Sequence, residues 1–90
     1  MEYSLDGREL NNRNVFHAMI KDLFEFPSYY GENLDALWDC MTTDVKLPAT
    51  LIWVDYNYSE KLLGEYATLI LQIFRQVVFY THGQFKLILK

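Results

Sequence analysis

Acidic and aromatic side chains alternate in one segment of this 90-residue chain, and their chemistry is its most informative feature. Six carboxylates fall between residues 22 and 45, a segment that contains no lysine or arginine. The acids are Asp22, Glu25, Glu32, Asp35, Asp39 and Asp44, and the large aromatic residues among them are Phe24, Phe26, Tyr29, Tyr30 and Trp38. Aromatic rings anchor protein interfaces, while carboxylates steer and orient a cationic partner. The segment therefore predicts a binding surface for a basic protein.

A short helix, beginning after Asn33 and running to about Met41, would position the central acids of this segment. At about 100° per residue, the buried stripe of this helix contains Leu34, Leu37, Cys40 and Met41. The outward face then contains Asp35, Trp38, Asp39 and Thr42. The helix dipole favours Asp35, but Asp39 stands one turn from a like charge, which costs roughly 0.2–0.5 kcal/mol. An ordinary solvated face, with Trp38 covering the edge of the core, is the alternative to a binding surface.

Catalytic interpretations of the same residues are weaker. Asp35 and Asp39 could form a carboxylate pair or half of a metal site, but no third cluster of ligands accompanies them. We expect His17 at the surface or margin of the first helix, and His82 beside a turn glycine with no nucleophile near it in sequence. Cys40 falls on the buried stripe, where a thiol is usually an inert small hydrophobe. We therefore expect no enzyme, no metal and no cofactor.

The elements before and around the acidic segment follow from the spacing of apolar residues. Residues 3–5 alternate and then meet the turn signal Asp6-Gly7, which predicts a short first strand. Asn14 is a candidate N-cap for a first helix that ends before Pro27. The continuous apolar run at residues 51–54 predicts a strand buried on both faces.

The second half of the chain predicts one more helix and one more strand. Residues 55–64 are ambiguous between a turn and a short helix. A longer helix runs from about residue 65 to residue 80, and a last strand alternates through Phe85, Leu87 and Leu89. Strands separated by helices indicate crossover connections. The predicted fold is α/β, a three-stranded parallel sheet with three to four helices.

Length, composition and charge narrow the class of protein. Ninety residues, of which 51% are hydrophobic, predict one folded domain over residues 1–90 and exclude intrinsic disorder. The formal net charge of −4 argues against nucleic-acid and membrane-surface binding. A single cysteine excludes an internal disulfide framework. Because no signal-peptide pattern and no apolar run of about 20 residues is present, we expect a cytoplasmic protein.

Residues 29–40 read YYGENLDALWDC, and this string is similar to the barstar family of intracellular ribonuclease inhibitors. The resemblance extends over the chain through Asp6-Gly7, Pro27, Pro48 and the LQIFR string at residues 71–75. It implies the family fold, a three-stranded parallel sheet packed with helices, which agrees with the order of elements predicted above.

The resemblance also implies a function and a set of site residues. Members bind a small basic secreted ribonuclease of the barnase type, which is guanyl-preferring, and the position matching Asp39 occupies its pocket for an RNA phosphate. The position matching Tyr29 covers a catalytic histidine of the nuclease. The implied partner-binding residues are Tyr29, Asn33, Leu34, Asp35, Trp38, Asp39, Thr42, Thr43, Asp44 and Gln76. Such a protein imitates substrate, performs no chemistry, and is expected to be a monomer when free.

Within the implied interface, three positions depart from the best-known members of the family. Thr43 and Asp44 stand where glycine and tryptophan are found, and Gln76 stands where an acidic contact residue is typical. Electrostatic steering should survive these changes because the acidic segment is intact, but they alter the expected affinity for any one nuclease. The alternative function is a barstar-like interaction module whose basic partner is not a nuclease.

Overall fold

The computed structural model describes residues 1–90 and contains one sheet of three parallel strands. The strands are β1 (Glu2–Asp6), β2 (Ala49–Val54) and β3 (Phe85–Leu89), and they lie in the order β1-β2-β3. The register pairs Tyr3 with Leu51 and Leu51 with Leu87. Both connections are crossovers that contain helices, so the predicted fold class is confirmed.

Four α-helices accompany the sheet. They are α1 (Arg13–Phe24), α2 (Leu34–Thr43), α3 (Tyr56–Leu63) and α4 (Glu65–Tyr80), and a single 3-10 turn covers Gly7–Glu9. The predicted bounds of α4 are confirmed, and the ambiguous segment before it is the short helix α3. No helix of the structure is both long and apolar enough to cross a membrane.

The core lies between the helices and one face of the sheet. Leu5, Leu51, Trp53 and Phe85 are at most 1% exposed and point from the strands into this layer, where Phe74 of α4 meets Trp53 and Phe85. Side chains of β2 alternate between buried and half-buried. The prediction that this strand is buried on both faces was therefore wrong, and the apolar run 51–54 has only one face in the core.

Two expectations about α1 were also wrong. The N-cap is Asn12 rather than Asn14, because the side chain of Asn12 accepts a hydrogen bond from the backbone N–H of Val15 at 2.9 Å. His17 is not a surface residue but is 1% exposed, next to Phe16 in the core. Its two ring nitrogens have polar partners inside the protein, which makes that burial possible.

Candidate protein-binding site

An exposed tyrosine precedes α2 and is held there by a buried neighbour. The N–H of Tyr30 donates to the carbonyl of Pro27 at 3.0 Å, which closes a turn that carries Tyr29 at its tip. Tyr29 is 79% exposed, while Tyr30 is 5% exposed and packs against Phe26 with 5.0 Å between ring centroids. Burial of Tyr30 fixes this turn, so the ring of Tyr29 is exposed in the loop that leads to α2.

His17 connects this loop to the rest of the core. Its Nδ1 lies 2.6 Å from the hydroxyl of Tyr30, and its Nε2 lies 2.7 Å from the hydroxyl of Tyr66 on α4. A neutral imidazole has one donor and one acceptor nitrogen, so one hydroxyl donates to the ring and the other accepts from it. Burial lowers the pKa of His17, and the Glu32 carboxylate partly opposes this shift. The loop before α2 is thus fixed to α1 and α4 by a neutral histidine.

The outward face of α2 is acidic, as the helical spacing predicts. Asp35 and Asp39 are both exposed, and the opposite stripe of Leu37, Cys40 and Met41 is at most 5% exposed. Leu34, predicted in the buried stripe, is only half-buried, and Trp38 and Thr42, predicted on the outward face, are half-buried as well, with Trp38 packed against the core. Since no lysine or arginine occurs between residues 22 and 45, this face presents carboxylates with no cation in its own segment.

Polar groups at the ends of α2 are engaged within the helix. Asn33 is the N-cap: its side chain accepts from the N–H of Ala36 at 2.8 Å and donates to the carbonyl of Gly31 at 3.3 Å. The Thr42 hydroxyl donates to the carbonyl of Trp38 at 2.8 Å, and the Thr43 hydroxyl donates to that of Asp39 at 2.6 Å. These three side chains therefore shape the helix, and a partner would meet only their remaining lone pairs, protons and methyl groups.

The C-terminal end of the acidic face is Asp44, which is exposed and caps α2 through its N–H to the carbonyl of Cys40 at 2.8 Å. Burial raises the pKa of the Cys40 thiol to about 11, and a hydrogen bond with Asp44 adds to this shift. A thiol of this pKa is not a nucleophile at neutral pH. No group of three or more His, Cys, Asp and Glu side chains is arranged to hold a metal ion.

Trp38 and Gln76 both line a groove between α2 and α4. Trp38 is half-buried, and its ring meets that of Tyr80 edge-on with 5.4 Å between centroids. The groove has a volume of about 640 Å³ and is lined by Trp38, Arg75, Gln76, Phe79, Tyr80 and His82. The structure therefore brings Gln76 beside α2, although the two are far apart in sequence.

Two exposed aromatic residues of this groove were missed by the sequence analysis. Phe79 is 86% exposed and Tyr80 is 60% exposed. The helical spacing of apolar residues could have identified them. The buried residues Ala67, Ile70, Phe74 and Val77 define a stripe of α4, and both aromatic residues lie outside it. Exposed aromatic rings that line a groove are characteristic of interaction surfaces.

Taken together, nine of the ten predicted partner-binding residues lie on α2, on the loop before it or at its C-cap, and Gln76 joins them from α4. Comparison with known proteins identifies the family of the chain. The family model described as Barstar (barnase inhibitor) matches residues 1–89. A relative from Bacillus subtilis (strain 168), named "Putative ribonuclease inhibitor YrdF", is 42% identical over 86 residues, which cover 96% of this chain and 94% of the relative.

Proposed function

Because the chain belongs to the barstar family, we propose that it is a protein inhibitor of a ribonuclease. Barstar-family proteins are inhibitors rather than enzymes, and the name of the relative in Bacillus subtilis describes a ribonuclease inhibitor as well. The target in this proposal is a small, basic, secreted nuclease of the barnase type, and the inhibitor acts in the cytoplasm of the cell that makes it. The single observation that carries the proposal is the exposed acidic face of α2, preceded in the chain by the exposed ring of Tyr29.

The proposed mechanism is occupation of the nuclease active site by an anion. A ribonuclease must bind RNA phosphates, and it does so with arginine, lysine and backbone N–H donors. The carboxylate of Asp39 would accept hydrogen bonds from those donors, with Asp35 adding negative charge one turn away. Tyr29 and Trp38 would supply contact area on either side. No bond is made or broken by the inhibitor.

Inhibition assays with paired variants test both the target class and the site. Cleavage of an RNA substrate by several barnase-type nucleases is measured with increasing amounts of the protein, of Asp39→Ala and of Glu60→Ala. Glu60 is an exposed acid on α3 and is the matched control for loss of one carboxylate. Charge-assisted hydrogen bonds are worth about 1.5–3 kcal/mol each. If Asp39 accepts two, its loss should weaken inhibition by about a hundredfold or more.

The outcomes separate two hypotheses. No inhibition of any such nuclease by a molar excess would favour the alternative, an interaction module whose basic partner is not a nuclease. If Asp39→Ala and Glu60→Ala weaken inhibition equally, the protein is an inhibitor but Asp39 is not at the centre of its binding site. The association rate should also fall between low and high salt, because steering by exposed charges is screened.

A further inference from the structure

One face of the parallel sheet has no helix on it. Parallel crossovers are right-handed, and the strand order β1-β2-β3 means that both crossovers move in the same direction across the sheet. Both sets of helices therefore lie on the same side, where Tyr3 meets Phe24 of α1 and Phe85 meets Phe74 of α4. All-parallel sheets are almost always covered on both faces. The open face of this sheet is therefore a candidate binding surface.

The open face has an apolar centre and charges of opposite sign at its two edges. Alternation along the strands places Ile52 and Val54 of β2 and Ile88 of β3 on this face, and none of the three belongs to the core. Ile88 is 43% exposed. The acids Glu2 and Asp6 lie along β1, the bases Lys86 and Lys90 lie along the opposite edge, and all four are exposed. Ser4 and Thr50 complete the face.

The strand register places each acid in the same row as a base. Glu2 pairs with Thr50, which pairs with Lys86, so these residues form one row across the sheet. Asp6 pairs with Val54, and the N–H of Lys90 donates to the carbonyl of Trp53 while its own carbonyl accepts from Asp55. That ladder pattern sets Lys90 beside Val54, in the row of Asp6. The two charged rows flank a central row of Ser4, Ile52 and Ile88.

We propose that this open face binds a second copy of the same chain, with a two-fold axis parallel to the strands. Rotation about that axis keeps each row at the same position along the strands and exchanges the two edges of the sheet. As a result, β1 of one copy lies over β3 of the other. Glu2 then faces Lys86 of the other copy, Asp6 faces Lys90, and Ile52 packs on Ile52 at the axis. The charge pattern is therefore complementary to itself in this orientation, as an isologous interface requires.

The same charges oppose the other two-fold arrangement. An axis that lies between the sheets but runs across the strands reverses the rows and keeps β1 over β1. Glu2 would then face Asp6 of the second copy, and Lys86 would face Lys90. Both of these contacts join like charges and are repulsive. The edge charges therefore favour the arrangement with the axis parallel to the strands. The strands of the two copies run in the same direction, which is the aligned mode of sheet packing.

The size of the face makes the dimer weak. Three strands about 4.8 Å apart and five residues at about 3.3 Å each give a face of roughly 14 by 17 Å. Two such faces bury less than the roughly 1,200 Å² of a standard stable interface. The dimer should therefore form only at high protein concentration, which departs from the simple monomer expected from the sequence. The acidic face of α2 belongs to the helix layer, on the other side of the sheet from the open face, so it stays accessible in the dimer.

Charge reversal at the two edges tests the proposal. Sedimentation velocity is measured over a roughly hundredfold concentration series for the unchanged protein, for Glu2→Lys, for Lys86→Glu and for the double reversal. Each single reversal turns two attractive pairs into repulsive pairs by symmetry, and should raise the dimerisation midpoint by about tenfold. The double reversal should restore the original midpoint. Glu60→Lys changes the net charge by the same amount as Glu2→Lys and should leave the midpoint unchanged.

Three results would overturn the dimer. They are a sedimentation coefficient that stays that of a monomer over the whole series, single reversals that act no more strongly than Glu60→Lys, and a double reversal that is as weak as the singles. The first would leave the face to a partner of different chemistry. Because no nuclease is present in the experiment, its result is independent of the proposed inhibition, and Asp39→Ala should dimerise like the unchanged protein.

Discussion

Mild acid is expected to destabilise the folded protein through one buried side chain, His17. Its imidazole is 1% exposed, and burial lowers the pKa of the ring from the ordinary value of 6.5, with partial opposition from Glu32. The neutral ring donates to one of the hydroxyls of Tyr30 and Tyr66 and accepts from the other. A protonated ring has only donors, so the hydroxyl that donated to it loses its acceptor. Protonation of His17 is therefore unfavourable in the folded state.

The size and sign of the effect follow from proton linkage. The folded state has the lower pKa and binds fewer protons than the unfolded state, so the stabilisation is complete above about pH 6.5. It is lost as the pH falls from that value towards the pKa of the folded state. One group exchanges at most one proton, so the free energy of unfolding falls by at most about 1.4 kcal/mol per pH unit. Below the folded-state pKa the contribution of His17 to the slope returns to zero.

Urea unfolding at a series of pH values, with a His17→Gln control, measures this slope. The glutamine amide keeps one donor and one acceptor for the two tyrosine hydroxyls but does not titrate. Fluorescence of the buried Trp53 reports unfolding. Between about pH 7.5 and about pH 5.5 the free energy of unfolding should fall more steeply for the unchanged protein than for His17→Gln. Parallel profiles for the two proteins would refute the assignment of the slope to His17.

Two further predictions concern the tightly packed end of β2 and the thiol of α2. Gly7→Ala should lower the free energy of unfolding by about 1–3 kcal/mol in urea titrations, because a methyl group at this position overlaps the Val54 carbonyl and the Ser59 hydroxyl. Gly31→Ala is its control, since a methyl group there makes only ordinary contacts, and an equal loss would contradict the steric explanation. The Cys40 thiol, 5% exposed and with a pKa raised to about 11, should react with a thiol reagent far more slowly in the folded than in the urea-unfolded protein. Equal rates would mean that the stripe of α2 is open to solvent.

The acidic helix could be predicted from sequence because its information is local. Asn33 caps α2 through a hydrogen bond to Ala36, three residues away, and the buried stripe repeats at helical spacing. The same holds for α4, whose bounds coincide with the prediction. The error at α1 is local as well, because Asn12 and Asn14 are both acceptable caps and only the side-chain hydrogen bond of Asn12 decides between them.

The features that could not be predicted depend on pairs of residues far apart in the chain. The polar partners of His17 are 13 and 49 residues away, so no local pattern distinguishes this buried histidine from a surface one. The open face of β2 is likewise a consequence of topology. An apolar run such as residues 51–54 is compatible with one or two covered faces, and only the strand order with right-handed crossovers leaves one face open. Gln76 could be assigned to the site only through the family resemblance, because its position near α2 depends on the packing of α4 beside that helix.

The position of Asp39 has a consequence that separates binding from stability. Unlike Asp35, it lies beyond the first turn of α2, where the helix dipole no longer favours an acid, and it stands one turn from that like charge. Asp39→Ala should therefore leave the free energy of unfolding unchanged or raise it, by about 0.2–0.5 kcal/mol from relief of repulsion and a little more from helix propensity. The same variant should lose inhibition in the nuclease assay. If Asp39 instead stabilised the fold, Asp39→Ala would lower the free energy of unfolding. A clear loss of stability in urea unfolding of this variant would therefore argue against a role in binding alone.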